Sequence, residues 1–152
     1  MKQINKYIVE RLHINKDIGN HHYNYHPKTN DELIKIVNKL IIERGNKADL
    51  NDIDTSGITD MHYVFYKSKF NGDISNWNVS NVKDMNDMFF RSKFNGDISE
   101  WDVSKVEDMH NMFAYSYFDG DISNWTVSNV LNMRSMFIMS PLAKKTPKWY
   151  KD

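Results

Sequence analysis

The sequence contains no cysteine, which excludes disulfides and thiolate sites and leaves the redox compartment open. It contains no apolar run near the ~20 residues that a membrane-crossing helix needs. Its first residues, Met1-Lys2-Gln3-Ile4-Asn5-Lys6-Tyr7, offer no continuous apolar stretch, because Asn5, Lys6, Glu10 and Arg11 interrupt it. No secretory leader is legible there, so a cytoplasmic location is expected. A Gly-rich phosphate loop, a nucleophile elbow and a His-Glu-x-x-His zinc motif are all missing. No catalytic residue and no cofactor are assigned, and an enzyme is not expected.

What is present fits one soluble domain: 152 residues, 40% hydrophobic and 26% charged. The formal net charge of zero conceals a division. Residues 1–48 hold nine Lys or Arg against five acids, residues 49–142 seven against fourteen, and residues 143–152 four against one. An acidic middle lies between two basic ends. Phosphate binding needs clustered Lys and Arg, so direct nucleic-acid binding is not expected; a partner with a cationic surface fits better.

The middle is a repeat. Met85-Asn86-Asp87-Met88-Phe89 recurs as Met109-His110-Asn111-Met112-Phe113 and as Met133-Arg134-Ser135-Met136-Phe137, each 24 residues on. The same offset aligns Trp77, Trp101 and Trp125; Val82, Val106 and Val130; Phe70, Phe94 and Phe118; and three Gly-Asp-Ile triplets beginning at Gly72, Gly96 and Gly120. One step earlier, Asp49-Leu50, Ile53, Ile58, Met61 and Phe65 form a degenerate first unit. The pattern fades after Phe137, with Leu142 in the Phe118 column.

Within a unit, Val82, Met85, Met88 and Phe89 are spaced by three and four, which predicts one face of a short helical turn. Ser80 is placed to cap it, and Ser104 with Glu107 makes a capping box in the next copy. Ile74 and Trp77-Asn78-Val79 suggest an extended segment entered through an Asn71-Gly72 turn. The spacing of three from Ile74 to Trp77 breaks strict alternation and leaves open which of these side chains point inward. One strand-like leg and one helical leg per unit predict an α/β fold: a short leucine-rich-repeat-like solenoid of about four 24-residue coils with an N-terminal helical cap. The Met, Phe, Trp and Val columns are its expected core: Met61, Phe65, Trp77, Val82, Met85, Met88, Phe89, Trp101, Val106, Met109, Met112, Phe113, Trp125, Val130, Met133, Met136 and Phe137.

Such a stack needs covered ends. Thr29-Asn30-Asp31-Glu32 forms a capping box, followed by Leu33, Ile36, Val37, Leu40 and Ile41 at helical spacing and by Gly45. Ile4, Ile8 and Leu12 indicate a second helix over 2–13. The expected organisation is a helical cap over 1–48, the solenoid over 49–142, and a basic tail or cap over 143–152.

Three groups of residues are candidate sites. His21-His22-Tyr23-Asn24-Tyr25-His26 offers imidazoles to zinc or nickel, but without fixed ligand spacing a polar loop is expected. The turns at Asn71-Gly72-Asp73, Asn95-Gly96-Asp97 and Asp119-Gly120-Asp121 offer oxygens to calcium; Asx turns explain the column equally and are preferred. No metal is assigned. His62, Asn86, His110 and Arg134, with Tyr63, Asp87, Asn111 and Ser135, vary between units while their neighbours do not. They are the expected contact strip for a partner.

The pattern Phe-x-Gly-Asp-Ile-Ser-x-Trp-x-Val-Ser-x-Val-x-x-Met-x-x-Met-Phe, over 70–89 and 94–113 and with Asp119 for Asn over 118–137, resembles the BspA-like leucine-rich-repeat proteins, whose related units also occur in mycoplasma lipoproteins. The resemblance covers about two thirds of the chain. It implies protein binding, often by surface adhesins or secreted interaction proteins, and brings no catalytic residues. The expected function is a non-catalytic protein-protein interaction module acting through the solenoid surface. The alternatives are a small acidic inhibitor or nucleic-acid mimic of the phage-accessory type, and a surface adhesin.

Overall fold

A computed structural model describes residues 22–152. The helix expected over 2–13, and His21, lie outside the described residues.

The helix foreseen after Thr29 is α1, Asn30–Arg44. The Thr29 hydroxyl accepts the Glu32 N–H at 3.2 Å, and the Glu32 carboxylate takes the Lys28 N–H at 2.7 Å. Gly45 closes the helix at φ 90°, its N–H reaching the Ile41 carbonyl; φ in this range suits glycine. Leu33, Val37 and Leu40 are fully buried in the common core. Arg44 fastens the helix to the first unit by a two-pronged bond to Asp52 at 2.9 and 3.0 Å, which holds the Asp52 carboxyl below its usual range.

The expected α/β solenoid with a helical cap is corrected. Among the described residues there is one α-helix, one short 3-10 helix at Pro141–Lys144, and no sheet. Bridge pairing between the units is limited to isolated parallel bridges: Asp49 with Asp73, then Asp60, Asp84, Asp108 and Asn132 in series. The reason lies in the backbone of the supposed helical leg. Asp87 and Arg91 have φ of 53°, and their equivalents Tyr63 and Lys67, Asn111 and Tyr115, and Ser135 and Met139 have φ of 54–62°. A left-handed residue every four positions breaks an α-helix.

The segment is instead a run of turns whose donors alternate. The N–H groups of Met88, Phe90 and Ser92 return to carbonyls three residues back. Those of Met85, Asp87, Phe89 and Arg91 cross to Asp108, His110, Met112 and Ala114 of the next unit at 2.9–3.0 Å. The polar backbone is satisfied by turns and neighbours together, without helix or strand. Ser104 caps no helix, since its N–H donates to Asp102. Ser80 likewise donates N–H and hydroxyl to Asn78.

Side chains reinforce the register. Phe65, Phe89, Phe113 and Phe137 stack at 5.4, 5.4 and 6.0 Å between ring centres. Phe70, Phe94 and Phe118 stack at 6.2 Å. The indole N–H of Trp77, Trp101 and Trp125 donates to the carbonyls of Leu50, Ile74 and Ile98, always 27 residues back. Ile74, Trp77 and Val79 are all buried; a turn closed by the Trp77 N–H on Ile74 accounts for their spacing of three. Of the expected core, only Val130 and Met133 are partly exposed.

Candidate functional site

The structure places the expected contact residues in adjacent rungs. The Tyr63 N–H donates to Asn86, that of Asp87 to His110, and that of Asn111 to Arg134, at 3.0–3.4 Å. Tyr63, Asp87, Asn111 and Ser135 occupy a left-handed position, which Asn and Asp adopt more readily than most residues. Asp87 is buried at 7% exposure, and the His110 ring lies between Asp87 and Asp108 at 3.5 and 3.1 Å. His62 bonds Asp60 and takes two contacts from the Asn30 amide of α1. The Ser135 N–H is held by Asp152. Tyr63 and Arg134 remain exposed.

The acidic residues are largely engaged with their own chain. Donation from the serine two positions on holds Asp54, Asp73, Asp97, Asp102 and Asp121 below the ordinary aspartate range. In the Gly-Asp-Ile turns, Ser75 gives Asp73 both N–H and hydroxyl, at 2.9 and 2.7 Å. The preceding side chains form a ladder, with Asn71 accepting the Asn95 N–H and Asn95 that of Asp119, each at 2.8 Å. The turns are thus Asx turns. Among the described residues no three His, Cys, Asp or Glu side chains converge as a metal-binding group. His22 and His26 are exposed, and His26 lies 3.4 Å from Asp54.

Next to the expected contact residues, with Tyr63 meeting Tyr66 edge-on at 5.0 Å, lies what sequence reasoning missed. Residues 66–69, 90–93, 114–117 and 138–141 form one strip across four rungs, and none of them is acidic. Tyr66, Tyr115, Tyr117, Ile138 and Met139 are exposed there, Tyr117 at 58% and Met139 at 72%. Tyr66 stacks on Phe90 at 5.3 Å, and Phe90 meets Tyr115 edge-on at 5.6 Å. Lys67 lies over Tyr66 at 4.9 Å, Arg91 over both Phe90 and Tyr115 at 5.4 Å, and Lys93 over Tyr117 at 4.5 Å. Among the described residues, no salt bridge involves Lys67, Lys69, Arg91 or Lys93. The signal was present as the columns Tyr66/Phe90 and Lys67/Arg91, but the net acidity of 49–142 averaged it away.

The C-terminal stretch continues the tryptophan column. Trp149, 24 residues after Trp125, donates its indole N–H to Ile122 at 2.9 Å and stacks on Trp125 at 6.3 Å. Among the described residues no helix is long and apolar enough to cross a membrane.

This stack of 24-residue units defines a repeat protein. The family described as "Mycoplasma protein of unknown function, DUF285" matches residues 35–149. The chain belongs to that family. No curated protein and no solved structure matches it.

Proposed function

We propose that the chain is a non-catalytic protein-interaction module, and that the strip over 66–69, 90–93, 114–117 and 138–141 is its contact face. The observation that carries this reading is the gathering of exposed rings and unneutralised cations on one face, where interface residue types concentrate. The serine column is accounted for structurally: Ser68, Ser92 and Ser116 accept the N–H two residues on, and Ser140 donates to Phe137. The resemblance of the repeat to that of BspA-like proteins supports a binding role. The nucleic-acid-mimic alternative finds less support, since many of the acids it needs serve turns or neighbouring side chains.

The test is cross-linked affinity purification from native cells. The unaltered chain is expected to return one stoichiometric protein, and Tyr115→Ala with Tyr117→Ala to lose it while the fold persists. Substituting Asn76 and Glu100 by alanine, away from the strip, should leave recovery intact. Recovery of no partner by the unaltered chain refutes the reading.

A further inference from the structure

The strip is not uniform along the stack. Its first two rungs carry Lys67, Lys69, Arg91 and Lys93, while the last two carry Ala114, Tyr115, Tyr117, Ile138 and Met139. Beyond Met139 it runs into a groove of about 650 Å³ lined by Met139, Ser140, Pro141, Ala143 and Lys144, together with Asp119 and Lys145. The acid of that groove, Asp119, is held by Lys145 at 2.8 Å. One end of the strip is thus mainly cationic, and the other carries more apolar surface beside Lys144 and the Lys145–Asp119 pair.

Several ring faces are already taken. Tyr66 and Phe90 cover each other, Arg91 sits over Phe90 and Tyr115, and Lys93 over Tyr117. Single-stranded nucleic acid is held by stacking bases on free ring faces, and the strip offers few. What the strip adds to these paired rings is tyrosine side chains exposed at 38–58% and the cations Lys67, Lys69, Arg91 and Lys93, which no salt bridge among the described residues engages. These suit carboxylates.

Resting on the protein-binding reading, we infer that the strip takes an acidic peptide segment ending in apolar side chains. Its carboxylates lie over Lys67, Lys69, Arg91 and Lys93, and its apolar end over Ile138, Met139 and the adjoining groove. The rungs repeat at 5.4–6.0 Å, so about five extended residues at ~3.3 Å each cross all four. The cations contribute attraction and registry, and the apolar end contributes burial.

Fluorescence anisotropy on the full chain tests this with four labelled probes: Glu-Glu-Glu-Leu-Phe-Leu, Lys-Lys-Lys-Leu-Phe-Leu, an all-glutamate peptide and an oligothymidine strand. The acidic-apolar peptide is expected to bind most tightly and to weaken as salt rises. Lys69→Glu with Lys93→Glu, neither at a left-handed position, should weaken it about tenfold or more, with the thermal transition unchanged by circular dichroism. Met139→Ser should weaken the acidic-apolar peptide and leave the all-glutamate peptide unchanged. Equal binding of the lysine peptide, or indifference to charge reversal, overturns the acidic assignment and leaves the protein-binding reading standing. Tighter binding of oligothymidine overturns both in favour of nucleic acid. No binding by any probe, alongside a stoichiometric partner from cells, overturns only the acidic assignment; without such a partner both fall.

Discussion

At the scale of single residues, the stack is governed by close approach. A Cβ added at Gly72 would lie 2.0 Å from the Ala48 carbonyl oxygen and 2.7 Å from the Phe70 ring. That carbonyl accepts the Asp73 N–H at 3.0 Å and so links two units. A Cβ on Gly57, by contrast, meets nothing within 4 Å. Gly72→Ala should therefore lower stability by about 1–3 kcal/mol through overpacking, whereas Gly57→Ala should be neutral or gain up to about 1 kcal/mol from a stiffer unfolded chain. Urea unfolding of the two variants checks this; coincident midpoints would contradict it. The glycine column was legible as a turn signal. Its reason, contact of each glycine with the phenylalanine two residues before it, required coordinates.

At the scale of the element, the repeat period and the interior columns could be read from sequence, and the backbone between them could not. Spacings of three and four describe a helix, but they also describe consecutive three-residue turns that bring every apolar side chain to the same interior. Asp87, Asn111 and Ser135 hinted at a left-handed position, being residue types suited to it. Arg91, Tyr115 and Met139 give no such hint, and two left-handed residues per unit decide against a helix. The Asx turns carry a pH consequence. Because the folded chain holds Asp52, Asp54, Asp73, Asp97, Asp102 and Asp121 below their ordinary range, the unfolded chain takes up protons first as pH falls. Their contribution is complete above the usual aspartate value of about 3.9 and is lost as pH drops from there through the lowered folded values. Thermal melts should show stability falling below about pH 4, and Asp73→Asn, which keeps an acceptor but does not titrate, should make that fall shallower. A melting temperature that rose through this range would count against the turns as a source of stability.

At the scale of the whole molecule, each internal rung is covered by a rung on either side, while the terminal ones rely on other cover. The described N-terminal end has α1, whose Leu33, Val37 and Leu40 join the core. The other end has Trp149 and Tyr150. These lie 6.2 and 4.9 Å from Phe137, and burial, followed by the nearby Asp152 carboxylate, pushes the Tyr150 hydroxyl up to about 12. Trp149 is half-buried, so Trp149→Ala should cost somewhat less than a full core truncation, about 2–3 kcal/mol. In a stack whose units contact only their neighbours, that loss is felt locally first. The amides of Met109, Asn111, Phe113 and Tyr115, which donate to the final rung, should therefore lose hydrogen-exchange protection before those of Met61, Phe65 and Lys67, which donate to a rung two units away from it. Uniform loss along the chain would instead show the stack opening as one cooperative body. Unchanged exchange would remove Trp149 from the structure that holds the last rung in place.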